Sequence, residues 1–406
     1  ELANLFKRRC GVGLDISKLR PDGSFVNNSA GTTTGAWSFA DFYSYVCRMI
    51  GQNGRRGALM ITMDVRHPDI EKFVAMKHDL KKVTGANVSV KISDSFMEAV
   101  ENKQSFTLQF PVDSEKPTHT REIEACDLWN LIVESATKTA EPGLMMWDNI
   151  KNNLPAECYA NDGFKTLTTN PCGEIPLSAY DSCRLISINL KHFVINPFKG
   201  PKFDFYKLYE VAVHAMRLSD DLVELEVEKL EKIIKACDTK DERALWKNIL
   251  KACQDGRRTG LGTHGLADAI ACLNLHYDSD EALKVIKRIY ETLRNAAYTE
   301  SVNLSKERGA FKVFDWEKEK DNDYIKRLPE EIQNMIREFG RRNISILTNA
   351  PTGSVSIMSQ TSSGLEPVFR NFYTRRRKLS HNEQELKPDF VDELGDKWLE
   401  YKVFHH

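Results

Sequence analysis

Residues 167–190, LTTNPCGEIPLSAYDSCRLISINL, carry three polar groups of different chemistry at alternate positions. These groups are the amide of Asn170, the thiol of Cys172 and the carboxylate of Glu174. In an extended segment, residues two apart point to one face, so the three side chains can address one bound molecule. Pro171 and Gly173 interrupt regular structure, which favours a loop or hairpin tip over a central strand. The sequence therefore predicts a projecting finger that carries the chemistry.

Cys172 is poorly placed to act as an ordinary nucleophile. The carboxylate of Glu174 opposes formation of the thiolate, and no histidine is near in sequence to assist. One-electron chemistry needs no thiolate, because a neutral thiol that loses a hydrogen atom becomes a thiyl radical. The carboxylate is then available to remove a proton from a substrate hydroxyl. Cys183 follows closely enough for the chain to fold back and bring a reducing thiol to the same site.

These residues carry a resemblance to a known family. N-P-C-G-E followed by S-C-x-L-x-S-I-N-L is similar to the active-site finger of the ribonucleotide reductase large, catalytic subunit. The resemblance extends over residues 11–372 and implies an α/β fold. In that fold, two five-stranded parallel halves are set antiparallel in a ten-stranded α/β barrel, with the finger loop in its centre. We therefore expect residues 1–406 to form a single catalytic α/β barrel domain.

The pattern at both ends of the sequence suggests that the chain is a fragment of a longer protein. Residues 1–9 have the pattern of an amphipathic helix already under way, and residues 401–406 stop without a terminator signal. We expect the domain to lack N-terminal and C-terminal portions. By the resemblance, the missing C-terminal portion would hold the last barrel strand and a redox-active cysteine tail.

The resemblance implies radical-based reduction of ribonucleoside di- or triphosphates to deoxyribonucleotides, the precursors for DNA replication. Cys172, as a thiyl radical, would remove the 3′ hydrogen of the ribose, while Glu174 takes the 3′-hydroxyl proton and Asn170 holds the ribose hydroxyls. Cys183 would be one of two thiols oxidised to a disulfide. Its partner in the family would lie before Glu1, so Cys10 is not that partner.

The same resemblance assigns binding roles to three loops. Residues 8–39 include a small-residue loop that can cradle a phosphate or form an exposed connection, and residues 50–57 carry amides and guanidinium groups between glycines. At residues 350–354 a predicted strand leads into a hydroxyl-rich turn, which is a ready anion site. The implied substrate-binding residues are Gly11, Gln52, Arg56, Thr352, Gly353, Ser354 and Ser356. The implied effector-binding residues, for dNTP or ATP, are Lys18, Arg20, Asn53 and Arg55.

The radical source is open at this point. The N-P-C-G-E sequence is more similar to the adenosylcobalamin-dependent, class II reductases than to class I enzymes, which more often have N-L-C. A class I enzyme would instead need a small subunit with a radical-generating metal centre. The resemblance also implies a thioredoxin- or glutaredoxin-type reductant and a homodimer. We expect no metal ligated by the chain itself.

Two further function classes compete with this one. Gly260, Gly262 and Gly265 form a G-x-G-x-x-G pattern, which is typical of a dinucleotide-dependent oxidoreductase when it follows a strand in a βαβ unit. Here the pattern follows a charged helix and a turn at residues 257–258, so the glycines more simply allow close packing. His264 then reads as a core or hinge histidine, since no metal-ligand spacing surrounds it. The other class is a non-catalytic nucleotide-binding relative.

Composition limits the partners. The 406 residues include 57 Lys and Arg against 58 Asp and Glu, so charge favours neither a nucleic acid polymer nor a membrane surface. No apolar run approaches the ~20 residues that a membrane span requires. Nine cysteines without a secretory segment are typical of a reducing compartment, so we expect a cytoplasmic protein.

The remaining local predictions follow from periodicity and charge. Strands and helices alternate before the finger, whereas helices dominate after it. The sequence predicts separate helices at residues 205–225 and 227–236 and one long helix at 280–308. It predicts a strand at 344–347, a solvated surface insertion at 315–326 and a solvated basic loop at 375–378.

Overall fold

The computed structural model describes residues 1–27, 29–50, 57–379, 383, 385–393 and 395–404. Their mixed content of helices and strands confirms the predicted α/β class. The strands are β1 (Gly11–Asp15), β2 (Ala58–Asp64), β3 (Asn87–Ile92), β4 (Ser105–Phe110), β5 (His119–Glu124), β6 (Gly143–Met146), β7 (Thr166–Thr169), β8 (Pro176–Ser178), β9 (Leu185–Asn189), β10 (Val194–Ile195), β11 (Lys202–Phe203), β12 (Gly260–His264), β13 (Phe372–Lys378), β14 (Phe390–Val391) and β15 (Lys397–Phe404).

The α-helices differ widely in length. They are α1 (Leu2–Lys7), α2 (Ala36–Met49), α3 (Ile70–Ala75), α4 (Asp94–Glu101), α5 (Ala125–Thr139), α6 (Trp147–Asn153), α7 (Phe205–Lys235), α8 (Lys240–Gly256), α9 (Leu266–Cys272), α10 (Asp280–Arg308), α11 (Trp316–Glu319), α12 (Asp323–Lys326), α13 (Glu330–Phe339) and α14 (Gly353–Ser359). Short 3-10 helices occur at Met76–His78, Pro155–Asp162 and Leu190–Phe193. No helix in the described ranges has both the length and the apolar character needed to cross a membrane.

The chain divides into two compact units. The first unit contains Glu1–Cys183, Leu225–Arg258 and Phe311–Gly340. The second unit contains Arg184–Glu224, Thr259–Ala310 and Arg341–His406. The single domain expected for residues 1–406 stays a prediction. Within the described parts of the chain the strands close no barrel, and the ten-strand arrangement is not seen there.

The first unit is built on a four-stranded parallel sheet in the order β1-β2-β3-β6. Because side chains alternate along a strand, the sheet has two distinct faces. Leu59, Ile61 and Met63 of β2 lie on the apolar face, in a core that they share with buried residues of α3 and α5. The opposite face carries small and polar side chains, and β7 lies against it. On this face, Gly13, Thr62 and Lys91 contact β7, and Gly11 and Asn87 contact Pro171 just after it.

The second unit contains a parallel pair, β9 and β12, in which Gly260 is aligned with Leu185. On the other side of β12, Leu261 forms a parallel bridge to Leu347, and the Thr259 and Leu261 N–H groups donate to Ser345 and Ile346. Residues 344–347 were expected to form a strand. They hydrogen-bond to Leu261 of β12 but form a single bridge rather than a strand, so this prediction was wrong.

Three further sequence predictions need correction. The two helices expected at residues 205–236 are one continuous helix, α7, because no glycine or proline interrupts the segment. The basic residues 375–378 lie in β13 rather than in a loop, since β13 pairs antiparallel with β15 and Arg376 donates to Glu400 at 2.8 Å.

The charged segment at residues 315–326 is only partly solvated: Glu317, Lys318 and Lys320 are exposed, as expected, whereas other residues of the segment are buried. It forms α11 and α12, and the side chain of Glu319 is completely buried. The buried hydroxyl of Tyr159 donates to Glu319 at 3.0 Å. Burial of this carboxylate is tolerated because it has a hydrogen-bond donor, which lowers the cost of removing it from water.

Candidate active site

The predicted finger is a β-hairpin in the first unit. Strands β7 and β8 pair antiparallel, and residues 170–175 form the turn between them. The prediction of a hairpin tip is therefore confirmed. We call β7, β8 and this turn the finger hairpin.

The turn brings Asn170 and Glu174 into contact. Asn170 Nδ2 donates to Glu174 Oε2 at 2.7 Å, and the Ile175 N–H donates to Asn170 Oδ1 at 3.1 Å. The Gly173 N–H donates to the Asn170 carbonyl at 3.1 Å. The expected alternation of an extended strand was thus the wrong reason for this proximity. The two side chains meet because the turn closes on itself.

Cys172 is exposed at the tip of the turn, whereas Pro171 before it and Ile175 after it are buried. Partial burial of the sulfur raises the pKa of the Cys172 thiol, and the Glu174 carboxylate raises it further. Both effects disfavour the thiolate. The thiol is consequently protonated at neutral pH, which suits hydrogen-atom exchange better than nucleophilic attack.

Two glycines of β1 let the finger hairpin lie close on the sheet. A Cβ atom on Gly13 would overlap the carbonyl of Thr169, and one on Gly11 would lie 3.1 Å from Pro171 Cγ. Thr62 of β2 adds a hydrogen bond to Thr168 at 3.0 Å. Gly11, predicted to bind substrate, therefore lies directly against the turn that carries Cys172.

A buried ion pair below β7 was missed by the sequence analysis. Lys91 Nζ lies 2.7 Å from Asp15 Oδ2, and the same ammonium lies 4.9 Å from the ring centroid of Trp147. Asp15 also accepts from Thr62 at 2.9 Å. A single charged residue on each of two otherwise uncharged strands, GVGLD and NVSVKI, was the available signal.

Cys183 follows the finger hairpin and is half-buried. The preceding residues are held by two contacts: Asp181 pairs with the fully buried Arg258 at 2.7 Å, and Ser182 Oγ donates to Glu226 at 3.1 Å. Burial raises the pKa of Cys10, and Glu226 raises it further. The contacts of Asp181 with Arg258 and of Ser182 with Glu226 fix the backbone directly before Cys183.

Residues between Leu19 and Phe39, in the loop region predicted at residues 8–39, line a cavity of about 580 Å³ that is open to solvent. Arg20 lines this cavity together with Thr32, Thr33 and Phe39, and Lys18 is exposed nearby in sequence. Of the predicted effector residues, the structure thus places Arg20 on a ligand-sized cavity. Residues 51–56 lie outside the described part of the chain. They include the predicted binding residues Gln52, Asn53, Arg55 and Arg56.

The predicted phosphate turn lies in the second unit at the start of α14. Gly353 and Ser354 are exposed, and a Cβ atom on Gly353 would meet no described atom within 4 Å. Thr352 Oγ1 accepts from the Gly364 N–H at 2.8 Å, and the buried Ser356 donates to the Gly353 carbonyl at 3.1 Å. Two of the four predicted residues are therefore open to a ligand, while the other two hydroxyls also stabilise the turn.

The G-x-G-x-x-G pattern does not form a nucleotide turn. Gly260 and Gly262 lie within the buried strand β12, and only Gly265, at φ 71°, lies between that strand and α9. The dinucleotide motif requires its glycines in the turn after the strand. A Cβ on Gly262 would overlap the carbonyl oxygen of Thr348, so this glycine permits close packing.

His264 ends β12 and is buried, as predicted for a core histidine. Its Nδ1 is 2.8 Å from Ser187 Oγ and its Nε2 is 3.2 Å from Ser359 Oγ. Burial lowers the pKa of His264, and His192 lowers it further. Across the described ranges, His, Cys, Asp and Glu side chains form no group of three that could hold a metal ion.

Comparison with known proteins identifies the family of the chain. The chain matches the sequence model of the ribonucleotide reductase barrel domain over residues 1–404. It is 32% identical over 377 residues to the vitamin B12-dependent ribonucleoside-diphosphate reductase of Mycobacterium tuberculosis (strain CDC 1551 / Oshkosh), covering 92% of this chain and 48% of that protein. The enzyme of the same name from Thermoplasma acidophilum is 31% identical over 401 residues, covering 97% of this chain and 46% of that protein.

A more distant relative has a different description. The ribonucleoside-diphosphate reductase large chain of Neurospora crassa is 28% identical over 440 residues, covering 98% of this chain and 44% of that protein. The chain spans about half the length of the curated relatives it matches. Since the match to the barrel domain covers nearly every residue, the chain belongs to the ribonucleotide reductase family.

Proposed function

We propose that the protein containing this chain reduces ribonucleotides to deoxyribonucleotides by radical chemistry. The observation that carries the proposal is the contact of Asn170 with Glu174 in the turn that exposes Cys172. Family membership supports the same reaction. The reaction joins two thiols in a disulfide, removes the 2′-hydroxyl as water and leaves a deoxyribonucleotide.

Each residue of the turn has one role in this reaction. Cys172, as a thiyl radical, removes the 3′ hydrogen, and a protonated thiol is the form from which a hydrogen atom can be lost. Glu174 accepts the 3′-hydroxyl proton as a general base. Asn170 holds the ribose hydroxyls and, through its 2.7 Å hydrogen bond, keeps Glu174 oriented toward the same sugar.

Cys183 supplies one of the two reducing thiols. Support comes from its place directly after the finger hairpin and from the two contacts that hold residues 181 and 182. A second thiol completes the redox pair, and a thioredoxin- or glutaredoxin-type protein regenerates the pair. A cytoplasmic location is proposed with these roles, because an odd number of cysteines, nine, is typical of a reducing compartment.

Adenosylcobalamin is the proposed cofactor, because the two most similar relatives described above are named vitamin B12-dependent. The exposed, protonated thiol of Cys172 fits this group, since a large cofactor can approach the sulfur from solvent. When bound, the cofactor would supply the one-electron oxidising equivalent. Cys172 would present the hydrogen atom, and the buried Pro171 would anchor the turn. A radical-generating small subunit is the alternative source.

Ribonucleoside diphosphates are the proposed substrates, as the names of the relatives suggest. Their phosphates would bind the exposed turn before and within α14, where helix N–H groups favour an anion. The proposed contacts for the substrate are Thr352, Gly353, Ser354, Ser356, Gly11, Gln52 and Arg56.

The cavity lined by Arg20 is the proposed site for a dNTP or ATP effector, with Lys18, Asn53 and Arg55 as further contacts. A homodimer is proposed because α2 exposes a stripe of large apolar side chains at helical spacing. The stripe consists of Phe39, Phe42, Tyr45 and Met49. Phe39 also lines the cavity, so effector binding and dimer formation would share a residue.

We further propose that the complete domain is the ten-stranded α/β barrel of the family. The four parallel strands β1, β2, β3 and β6 support this, as does the parallel pairing of β9 with β12 in the second unit. The finger hairpin lies on the polar face of the first sheet, the face that would line a barrel interior.

The test is Cys172→Ala in the full-length protein, assayed with ribonucleoside diphosphates, a dithiol reductant and each radical source in turn. Wild-type protein is expected to form deoxyribonucleotide and the variant none. Cys126→Ala is the matched control, because Cys126 is a half-buried thiol in α5, outside the finger hairpin, whose Sγ donates to the Val100 carbonyl at 3.4 Å. Unchanged turnover by Cys172→Ala would contradict the proposal.

A further inference from the structure

The peptide group between Pro171 and Cys172 has a specific partner in the sheet. Asn87 Nδ2 donates to the Pro171 carbonyl oxygen at 2.9 Å. This is a hydrogen bond from a side chain of the sheet to the backbone of the turn. The contact therefore acts on the bond that leads directly into Cys172.

The orientation of this peptide depends on a single torsion. The ring of Pro171 fixes its φ angle, so the following peptide turns mainly by rotation about ψ of Pro171. Pro171 is buried, with its ring against Gly11, whereas Cys172 is exposed. Gly173, at φ 89°, follows and offers little backbone resistance. A hydrogen bond to the Pro171 carbonyl therefore restricts where the Cys172 side chain points.

Asn87 is a rigid anchor for this purpose. It is the first residue of β3 and is aligned with Met60 of β2 in the parallel sheet. The five residues that follow it in β3 are buried. The backbone of Asn87 is thus fixed by the sheet, while its own side chain reaches from an exposed position to the turn.

We infer that Asn87 is a positioning residue that holds the Pro171 carbonyl and so sets the direction in which Cys172 presents its sulfur. The effect on turnover rests on the proposed function; the effect on the thiol does not. Misplacement of a reacting atom by about 1 Å can cost a hundredfold in rate. Loss of the anchor is therefore expected to lower kcat and leave KM nearly unchanged, because Asn87 is not among the residues proposed to bind the substrate.

The experiment compares Asn87→Ala and Asn87→Leu with Asn102→Ala in the full-length protein. Asn102 is the matched control, since its Nδ2 also donates to a backbone carbonyl, that of Glu98, at 2.9 Å, and it is exposed at the end of α4. Three measurements are made. The first is the pH profile of Cys172 alkylation by iodoacetamide, followed by peptide mass spectrometry. The second is kcat and KM for ribonucleotide reduction, and the third is the free energy of unfolding by denaturant.

Iodoacetamide is expected to alkylate Cys172 in both Asn87 variants at least about threefold faster at pH 8 than in the control. The reason is that the sulfur, partly buried in the wild type, becomes more accessible to solvent. Their kcat should fall about tenfold to a hundredfold with KM changed by less than about twofold. Alkylation and kcat equal to those of Asn102→Ala would overturn the inference. So would a loss of stability in both variants without a change in alkylation of the folded protein. If the alkylation shifts but wild-type protein makes no deoxyribonucleotide, the proposed function fails and the positioning role stands.

Discussion

Two glycine-containing motifs in this chain, at residues 170–175 and 260–265, each suggested a functional site from the sequence, but their glycines have different structural roles. In the turn at residues 170–175, Gly173 adopts φ 89°, and the nearest atom to a Cβ there would be Met145 Cε at 4.0 Å. In β12, Gly262 has ordinary strand geometry, yet a Cβ would overlap the Thr348 carbonyl. Gly173 is therefore required by its left-handed backbone conformation, whereas Gly262 is required because a neighbouring backbone leaves no room for a side chain.

The difference explains why only one of the two motifs is a candidate for catalysis. The turn exposes a thiol and closes an amide onto a carboxylate, so its polar groups are available to a ligand. Every residue of β12 is buried, and the hydroxyl of Thr263 is already bonded to Tyr290 at 2.7 Å. A motif is therefore informative about function only when its exposure and its place relative to a strand are known.

The largest effect should come from Glu174→Gln, which changes the chemistry of the turn without changing its shape. Loss of the general base should lower kcat by about 10² to 10⁴. Because the carboxylate raises the pKa of Cys172, that pKa should fall in the variant. Alkylation rates across pH 7–10 measure the second effect. Glu101→Gln, exposed at the end of α4, is the control, and equal profiles for the two variants would contradict the account.

Gly262→Ala should have the opposite signature: lost stability without altered thiol chemistry. The added methyl group must displace a backbone carbonyl, so we expect destabilisation of about 3 kcal/mol, at the upper end for overpacking. Denaturant unfolding measures it, and Gly353→Ala is the control because its Cβ would meet open space. A Gly262→Ala protein as stable as this control would refute the packing role.

Gly173→Ala should lie between these two. No neighbour blocks the methyl group, but the left-handed backbone costs an alanine about 1–2 kcal/mol. Part of this strain is expected to be relieved by opening the turn, which would also weaken the Asn170–Glu174 contact. Unfolding and kcat should therefore both decline modestly. Full stability together with full turnover would show that the turn does not need the glycine.

The smallest effect concerns the pH dependence of stability at His264. Burial lowers the pKa of His264 below its unfolded value of about 6.5. The stability gained from the neutral ring is present above that pH and is lost as pH falls through the folded pKa. His264→Gln should therefore show a shallower loss of unfolding free energy between pH 7.5 and 5 than wild type, by about 1 kcal/mol or less. The exposed His119→Gln should keep the wild-type slope; an equally shallow slope there would argue against the assignment.

Local signals were sufficient for much of the fold. The long helix at residues 280–308 was predicted with the bounds that α10 has, since Ser279 caps its first turn and Gly309, at φ 85°, follows its end. The hairpin tip was also predictable, because proline and glycine flank Cys172. In both cases the deciding interactions join residues close in sequence.

Prediction from local sequence signals failed where the deciding interactions join residues that are far apart in sequence. Glu319 looked like a surface residue because its donor, Tyr159, is 160 residues away in sequence. The Lys91–Asp15 pair likewise joins β1 and β3, which lie on either side of β2 in a register that the sequence does not show. The identity of Cys172, Glu174 and Asn170 as candidates came from the sequence, whereas the turn contact that orients them came only from the fold.

The central claim is that the sulfur of Cys172 carries an unpaired electron during turnover. Freeze-quenched electron paramagnetic resonance of the full-length protein, grown with β-deuterated cysteine and supplied with substrate and adenosylcobalamin, tests it directly. We expect a radical signal whose hyperfine structure narrows with the deuterium label and which is absent from Cys172→Ala. A signal that is indifferent to the label, or that persists in Cys172→Ala, would contradict the account.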